Sequence, residues 1–350
     1  MTKKESNMST EIPIWSLSEK GLAARMVDMF SEHLLYSKEE DALYVYDEGY
    51  FNPDTYLLRK KADYAVEKLY SEAQQTSSDG KILTTDGERI DMDSILLTLK
   101  RNRKVSSYDK IAKSAKLDER IFCHGHDLDQ DDHLLNVKNG VLNLKTGKLF
   151  DHSPGYKMTR KTDVEYDAEA TCENWDKFLR EITNERQSLM RYLQRLAGYI
   201  LTGSIAEQKL FVLLGNGANG KTTFMNILSN LLQDQHYSKS IAPATLQNIS
   251  HGNIRSDLAR LAKVRLVTSA ELQGYPLNES LIKNMSGGSN IVARPLYQSE
   301  VEYTPKFKIL VDANQPPEIV GNDKGIQRRI IIVPFDVSIQ KENMDISLEN

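Results

Sequence analysis

The chain has 350 residues, is 40% hydrophobic and 27% charged, and carries a formal net charge of −4. That length leaves room for two domains of ordinary size with a sizeable core, while the charge argues against a surface coated in basic groups for nucleic acid. Two cysteines, Cys123 and Cys172, are too few for a disulfide scaffold, and no run approaches 18 apolar residues, so neither a secreted mini-domain nor a spanning helix is expected.

The first 20 residues are polar, lack the apolar stretch of a signal peptide and are expected to be a loose tail. A reducing cytoplasm fits best, with no membrane partner. "ALYVYDEGYF" alternates and turns like a hairpin, "TYLLRKKADYAVEKLYSEAQ" has the spacing of a helix, and "QQTSSDG" reads as a loop. "MDSILLTLKRNRK" and "YDKIAKSAKL" predict two short helices. "LLNVKNGVLNLKTGKLF" predicts a three-stranded meander, with a tight turn at Asn139-Gly140 and another at Thr146-Gly147. Trp175, Phe178, Leu179 and Ile182 share one helix face, and Leu189, Leu193, Leu196 and Ile200 share another. These two helices are expected to form a collar joining two halves.

The second half supplies "KLFVLL", "VRLVTSA", "FKILVDA" and "RRIIIVPF", strand-like runs separated by helices and loops. The expected architecture is an α/β domain with a mainly parallel sheet, preceded by a mixed α+β domain and the helical collar. The boundaries read as a tail over 1–20, an N-terminal domain over 21–170, a collar over 171–204 and the second domain over 205–350. Net charge is +1 from Leu201 to Asn350 and −5 before it, so DNA binding would depend on a few basic groups gathered in a channel.

Directly after "KLFVLL" comes "GNGANGKTT", Gly215, Asn216, Gly217, Ala218, Asn219, Gly220, Lys221, Thr222 and Thr223. It fits G-x-x-x-x-G-K-[ST], a loop whose backbone N–H groups turn inward around phosphate oxygens at a helix N-terminus. Lys221 is expected to reach the β- and γ-phosphates of ATP, and Thr222 to offer its hydroxyl to Mg²⁺. Hydrolysis needs an acidic group about one strand away, and Glu271, at the end of "VRLVTSAE", supplies it as water activator and second Mg²⁺ contact. Asn314 ends the next strand, where an amide can orient the water and sense the γ-phosphate. Arg328 and Arg329 stand at the mouth of the last strand; in a ring ATPase one of the two reaches the neighbour's γ-phosphate, and spacing does not choose between them.

In order and spacing, GNGANGKTT, "VRLVTSAEL", "LIKNMSGGSNIVARPLY", "KILVDANQPP" and "GIQRRIIIVPF" closely resemble superfamily 3 helicases. More narrowly they resemble phage, plasmid and pathogenicity-island replication proteins related to the poxvirus primase-helicase. "NVKNGVLNLKTGKLFDHSP" and "WDKFLREI" with "YLQRLAGYILTG" resemble the region preceding that helicase core, so the likeness runs over about residues 40 to 336. It implies an AAA+-type P-loop domain and a hexameric homo-oligomer that encircles one DNA strand and translocates by ATP hydrolysis. Forked duplex is the implied substrate, host replication proteins are further implied partners, and a bacterial host cytoplasm is the implied setting. The first 40 residues are too short for the primase domain of many relatives, so no primase activity is expected. The chain ends about 15 residues past Phe335, short of the C-terminal region of that group, and reads as truncated there.

Within the resemblance, Lys283 to Pro305 corresponds to the hairpin projecting into the ring channel, with its tip near Arg294 to Tyr297. Arg294 would pair with a DNA phosphate and Tyr297 would stack on a base, which is sequence-independent single-strand binding, with Lys283 a further DNA-binding residue. "CHGH", with Cys123, His124 and His126, lacks the paired spacing of a structural zinc site and reads as part of a solvated loop. "KRNRK", Lys100 to Lys104, sits between two short helices and reads chiefly as solvent-facing charge, with docking on duplex DNA as the lesser reading. Two other ATPase classes compete with the helicase: a non-translocating AAA+ remodelling or loader ATPase, which needs no basic channel hairpin, and a nucleotide kinase, which needs an arginine-rich lid.

Overall fold

Ser18 opens the first helix, its hydroxyl accepting the Gly21 N–H at 3.1 Å, so that α1 (Glu19–Phe30) begins on a capped turn. The computed structural model describes residues 15–76, 81–233, 236–248, 256–272, 275–294, 300–320 and 323–339. Most of the expected tail, residues 1–14, lies outside the described residues. Two compact units emerge: Met1–Leu128 with Pro154–Thr159, and Asp129–Ser153 with Arg160–Asn350.

In the first unit, β1 (Leu34–Ser37), β2 (Ala42–Asp47) and β3 (Tyr50–Asn52) lead into the long α2 (Thr55–Thr76). The hairpin expected in "ALYVYDEGYF" is present: Asp47 pairs with Tyr50 across Glu48 and Gly49, which have φ of 46° and 89°, as a two-residue turn of this hand demands. A second hairpin, β4 (Lys81–Leu83) and β5 (Arg89–Asp91), precedes α3 (Met92–Asn102), which the Asp91 carboxylate caps by accepting the Ser94 N–H at 2.7 Å. α4 (Val105–Ala115) and β6 (Phe122–Cys123) follow, and the sheet runs β3-β2-β1-β6 with β6 parallel to β1. Leu22, Met26, Ala62, Val66, Ile95 and Ile111 share the core of this unit. The segment Pro154–Thr159 returns to it, and the Met158 carbonyl accepts the Phe51 N–H at 2.8 Å.

The second unit opens with the meander β7 (Leu134–Val137), β8 (Gly140–Asn143) and β9 (Lys148–Phe150). Its first turn differs from expectation. Val137 pairs with Gly140, so the turn residues are Lys138 and Asn139, and neither has a positive φ. The Asn139 amide instead exchanges two hydrogen bonds of 2.9 Å with the Tyr166 main chain. Gly140 is required by close approach, since a Cβ there would stand 2.4 Å from the Phe150 carbonyl oxygen. The second turn is as expected, with Gly147 at φ +68°.

Two helices follow, α5 (Glu173–Thr183) and α6 (Gln187–Leu201). They and the meander fall in the second unit, whose division from the first is at 128/129, whereas the sequence pattern ends its N-terminal domain at 170 and sets these helices apart as a collar over 171–204. The reason is a shared core: Leu135, Val137 and Leu142 join Leu179, Leu193 and Phe224 in one apolar cluster. The helices expected to join two halves are thus integral to the second one.

The remaining elements are β10 (Leu210–Leu214), α7 (Lys221–Leu232), β11 (Ser238–Ile241), α8 (Pro243–Leu246), α9 (Ser256–Ala259), β12 (Leu266–Ser269), α10 (Glu279–Gly287), β13 (Ile291–Ala293), β14 (Val301–Tyr303), β15 (Lys308–Ala313), α11 (Lys324–Gln327) and β16 (Ile330–Pro334). Five of these strands form one sheet in the order β11-β12-β15-β10-β16, and every neighbouring pair is parallel. Burial on both faces explains their near-continuous apolar runs.

Two cations are buried at the entry to this sheet, Arg265 at 6% exposure and Lys308 at 2%. Arg265 donates to the Leu201 carbonyl at 2.5 Å and to the Leu134 carbonyl, and its guanidinium lies 4.8 Å from the Tyr237 ring centroid. Lys308 donates to the Thr202 carbonyl and sits 5.0 Å from the Tyr199 ring centroid. Burial pushes the Lys308 ammonium well below its ordinary value and the Tyr237 hydroxyl up to about 12. Carbonyls at the end of α6 and on β7, with two aromatic faces, thus replace water around both charges.

Candidate functional site

The parallel sheet brings the ends of β10, β12 and β15 together, and the loop Gly215–Gly220 leaves β10 there. Its shape comes from three left-handed residues, Gly217 at φ +76°, Ala218 at +45° and Gly220 at +82°. Asn216, Gly217 and Ala218 form an exposed rim, and a Cβ on Gly217 would meet nothing within 4 Å. Gly215 is tied down from below: its N–H donates to the Ala313 carbonyl at 3.2 Å, and a Cβ there would stand 2.1 Å from the Phe335 carbonyl oxygen. Asn219 is buried and donates through Nδ2 to that same carbonyl at 3.0 Å, while the Ile339 N–H donates to the Ala218 carbonyl at 2.7 Å. The chain leaving β16 therefore straps the loop.

Gly220 begins α7 and is pressed by α5, since a Cβ would lie 2.5 Å from Ile182 Cγ2 and 3.0 Å from the Phe178 ring. The rings of Trp175 and Phe224 stack with centroids 5.9 Å apart, continuing this contact along α7. The N–H groups of Lys221, Thr222 and Thr223, in the first turn of α7, have no earlier carbonyl of their own helix to bond, so the loop mouth is electropositive.

Lys221 is 3% exposed, and its ammonium is surrounded by oxygens: the Gly215 carbonyl at 2.5 Å, Asn219 Oδ1 at 3.1 Å, Asn314 Oδ1 at 3.4 Å and Asp312 Oδ1 at 3.6 Å. Thr222 Oγ1 donates to Asp312 Oδ2 at 3.1 Å. Asn314 also donates through Nδ2 to Glu271 Oε1. Four of the expected residues, Lys221, Thr222, Glu271 and Asn314, are therefore linked in one chain of contacts.

Asp312 completes that chain and was not foreseen. Read within "KILVDAN" it looks like one polar interruption of a buried strand. The signal available was alternation: residues 312 and 314 are two apart on a strand, so they share a face, and Asn314 was already assigned to the site.

The other expected residues are distributed as follows. Arg328 ends α11 with its side chain exposed. Arg329 is half-buried and donates from Nη1 to the Gly325 carbonyl at 2.8 Å, while its buried Nε has no hydrogen-bond partner among the described residues. β13 and β14 form the expected hairpin, with Ile291 opposite Tyr303 and Ala293 opposite Val301. Arg294 follows β13 and is exposed; Tyr297 lies outside the described residues. Lys283, on α10, forms an ion pair with Asp323.

In the first unit, His124 Nδ1 is 2.9 Å from Glu39 Oε1, and this contact holds the Glu39 carboxyl down at about 2. Arg103 of "KRNRK" is likewise paired, with Glu67 at 2.6 Å. Among the described residues no three His, Cys, Asp or Glu side chains group to hold a metal ion. A nucleotide-bound Mg²⁺ needs only one or two carboxylates beside phosphate oxygens and water, so the hard oxygen donors of Thr222, Asp312 and Glu271 suit it.

The class of this protein is thus mixed α/β, a parallel five-stranded sheet accompanied by an α+β first unit. Residues 23–184 match the family described as "D5 N terminal like", and residues 213–329 match one described as "Family of unknown function (DUF5906)". The second match takes in the whole of the loop from Gly215 to Thr223, together with Glu271, Asp312, Asn314 and both arginines. "Putative helicase L207/L206" of Acanthamoeba polyphaga mimivirus is 30% identical over 213 residues, covering 59% of this chain and 22% of that protein. "Putative primase C962R" of African swine fever virus is 28% identical over 211 residues, 58% of this chain and 22% of its own. The chain thus spans less than a quarter of the length of these relatives. A solved structure described as "The apo structure of NrS-1 C terminal region (305-718)" covers 94% of this chain and 65% of its own at a TM-score of 0.52 and 10% identity, a likeness of fold alone. These findings bear out the resemblance carried by the motifs, a likeness to the superfamily 3 primase-helicase group. No helix among the described residues is long and apolar enough to cross a membrane.

Proposed function

We propose that the chain is an ATP-dependent DNA helicase of viral or other mobile-element replication, with an AAA+-type ATPase in its second unit that works as a hexameric ring on single-stranded DNA. The observation that carries this reading is Asn314, which accepts from Lys221 through one amide atom and donates to Glu271 through the other. One side chain thereby joins the group that neutralises phosphate to the group that acts on water. The domain scheme follows the units, with the ATPase extending back to about residue 129.

In the reaction, the loop N–H groups and Lys221 hold the β- and γ-phosphates of ATP. Thr222 and Glu271 would help hold a nucleotide-bound Mg²⁺, which would supply charge neutralisation to the phosphates. The Glu271 carboxylate accepts the proton of the attacking water, and the Asn314 amide fixes that carboxylate and reports on the γ-phosphate. Arg328 suits the finger that reaches a neighbouring subunit, because it is exposed whereas Arg329 is engaged within its own subunit. The relatives named as helicases and primases support a replication role, and the β13–β14 hairpin with exposed Arg294 supports a DNA-contacting channel element.

Measuring ATP hydrolysis with and without single-stranded DNA tests the reading. Wild type is expected to be stimulated, and Arg294→Ala to keep basal hydrolysis but lose stimulation. The salt dependence of DNA binding in that variant should be shallower, by about 0.7 in log K against log salt for each lost phosphate contact. Unwinding of a forked duplex by Arg294→Ala at the wild-type rate would remove the hairpin from the mechanism. Hydrolysis indifferent to DNA would point to a remodelling ATPase.

A further inference from the structure

We propose that Asp312 is the carboxylate that readies the phosphate loop for a divalent cation: it orients the Thr222 hydroxyl and holds Lys221 until phosphate arrives. This rests on the reading of the site as an ATP site. Asp312 belongs to β15 in register with Leu213, one residue short of the end of β10, so its side chain stands at the root of the loop. One carboxylate oxygen accepts from Thr222 Oγ1 at 3.1 Å, and the other is 3.6 Å from the Lys221 ammonium. Its main-chain carbonyl accepts the Leu272 N–H at 3.4 Å, fixing β15 beside the segment that carries Glu271.

A hydroxyl has one proton and two lone pairs. With its proton committed to Asp312, Thr222 turns its lone pairs away from the carboxylate, which is the state a cation ligand needs. Asp312 is thus a positioning residue, acting through Thr222 much as an outer-shell carboxylate fixes a metal-binding histidine. The strand that leads to Glu271 offers no substitute. Residue 270 is alanine, and the Ser269 hydroxyl is turned to its own Ala270 carbonyl at 3.3 Å.

The second contact has the opposite sign of effect. In the nucleotide-free protein the Asp312 charge helps a nearly buried ammonium tolerate its site. Phosphate must displace that contact to engage Lys221, leaving the carboxylate to be balanced by a divalent cation. Asp312 therefore makes tight nucleotide binding conditional on the cation, disfavouring nucleotide alone and favouring nucleotide with metal.

The test is titration of the full chain with a fluorescent ADP analogue, in excess EDTA and in Mg²⁺, for wild type, Asp312→Asn, Asp312→Glu and Thr222→Ala. Mn²⁺ binding in the presence of ADP, followed by electron paramagnetic resonance, reads the metal directly. In wild type, Mg²⁺ should tighten nucleotide binding. Asp312→Asn should bind nucleotide in EDTA at least as well as wild type, yet lose about tenfold or more of the gain from Mg²⁺ and of Mn²⁺ affinity. Thr222→Ala should lose the same gain, and Asp312→Glu should regain part of it. An Asp312→Asn protein with an undiminished Mg²⁺ gain overturns the proposal, as does equal weakening in both media, the mark of a merely structural role. Wild type that binds no nucleotide in either medium overturns the ATP reading itself, a result distinct from both.

Discussion

Gly220 is where α5 bears on the phosphate loop, and Gly220→Ala measures how much the loop depends on that helix. Two costs are separable. An alanine at φ +82° costs about 1–2 kcal/mol from backbone strain. Its Cβ would also stand 2.5 Å from Ile182 Cγ2 in a fully packed core, and overpacking of that kind costs about 1–3 kcal/mol more. Gly217→Ala supplies the control, because Gly217 has a similar φ of +76° with open space around it and should show the strain alone. Ile182→Ala on its own should cost about 2–5 kcal/mol. In the double variant the added methyl falls into the space vacated, so the two losses should be less than additive by about 1–3 kcal/mol. Urea unfolding followed by Trp175 fluorescence suits the measurement, since that ring stacks on Phe224 of α7. The other tryptophan, Trp15, is removed as Trp15→Phe in every protein compared. Equal losses in Gly217→Ala and Gly220→Ala, with strict additivity toward Ile182→Ala, would refute the close packing of α5 on the loop.

Lys221→Ala should abolish nucleotide binding, whereas Glu271→Gln should bind ATP and lose turnover; equilibrium binding beside phosphate release checks both. Arg328→Ala should fold normally, lose hydrolysis, and regain some activity when mixed with Lys221→Ala subunits. Arg329→Ala, by contrast, should lower the unfolding midpoint, because its guanidinium is packed and bonded within the subunit. Burial, with the Arg160 charge adding to it, holds the His236 imidazole below its ordinary value of 6.5. Below that pH the unfolded chain takes up a proton more readily than the folded one, so stability should fall as pH drops through this range. His236→Gln should flatten that part of the urea-midpoint profile.

The loop Gly215–Gly220 stands out in the sequence because its pattern constrains consecutive residues, and Glu271 and Asn314 because each follows an apolar strand run; the structure brings all three together. Asp312 hid inside such a run, where its role depends on which strand lies beside it. That strand order, with β15 between β12 and β10, follows from long-range pairing and leaves no local mark. The Asn139-Gly140 pair misled for a related reason. The dipeptide normally marks the two central residues of a turn, but here Lys138 and Asn139 fill those places, while Gly140 answers to the nearness of Phe150 and Asn139 to the Tyr166 backbone. Hydrophobic periodicity found α2, α3, α4, α5 and α6, yet it carries no information about which core a helix joins. Periodicity therefore groups the meander with the first domain and sets α5–α6 apart as a collar, although all of them share the second unit's core.

The buried pair Arg265 and Lys308 bears on where the chain can be dissected. Both charges lie at the entry to the sheet, yet the carbonyls that satisfy them belong to Leu134, Leu201 and Thr202, all ahead of the first strand of that sheet. A fragment beginning at residue 205 would keep Lys221, Thr222, Glu271, Asp312 and Asn314 but strip Arg265 and Lys308 of these acceptors. A fragment beginning near residue 129 keeps them. A start near residue 129 should therefore give a more stable second unit than a start at 205, because it keeps the acceptors of both buried side chains.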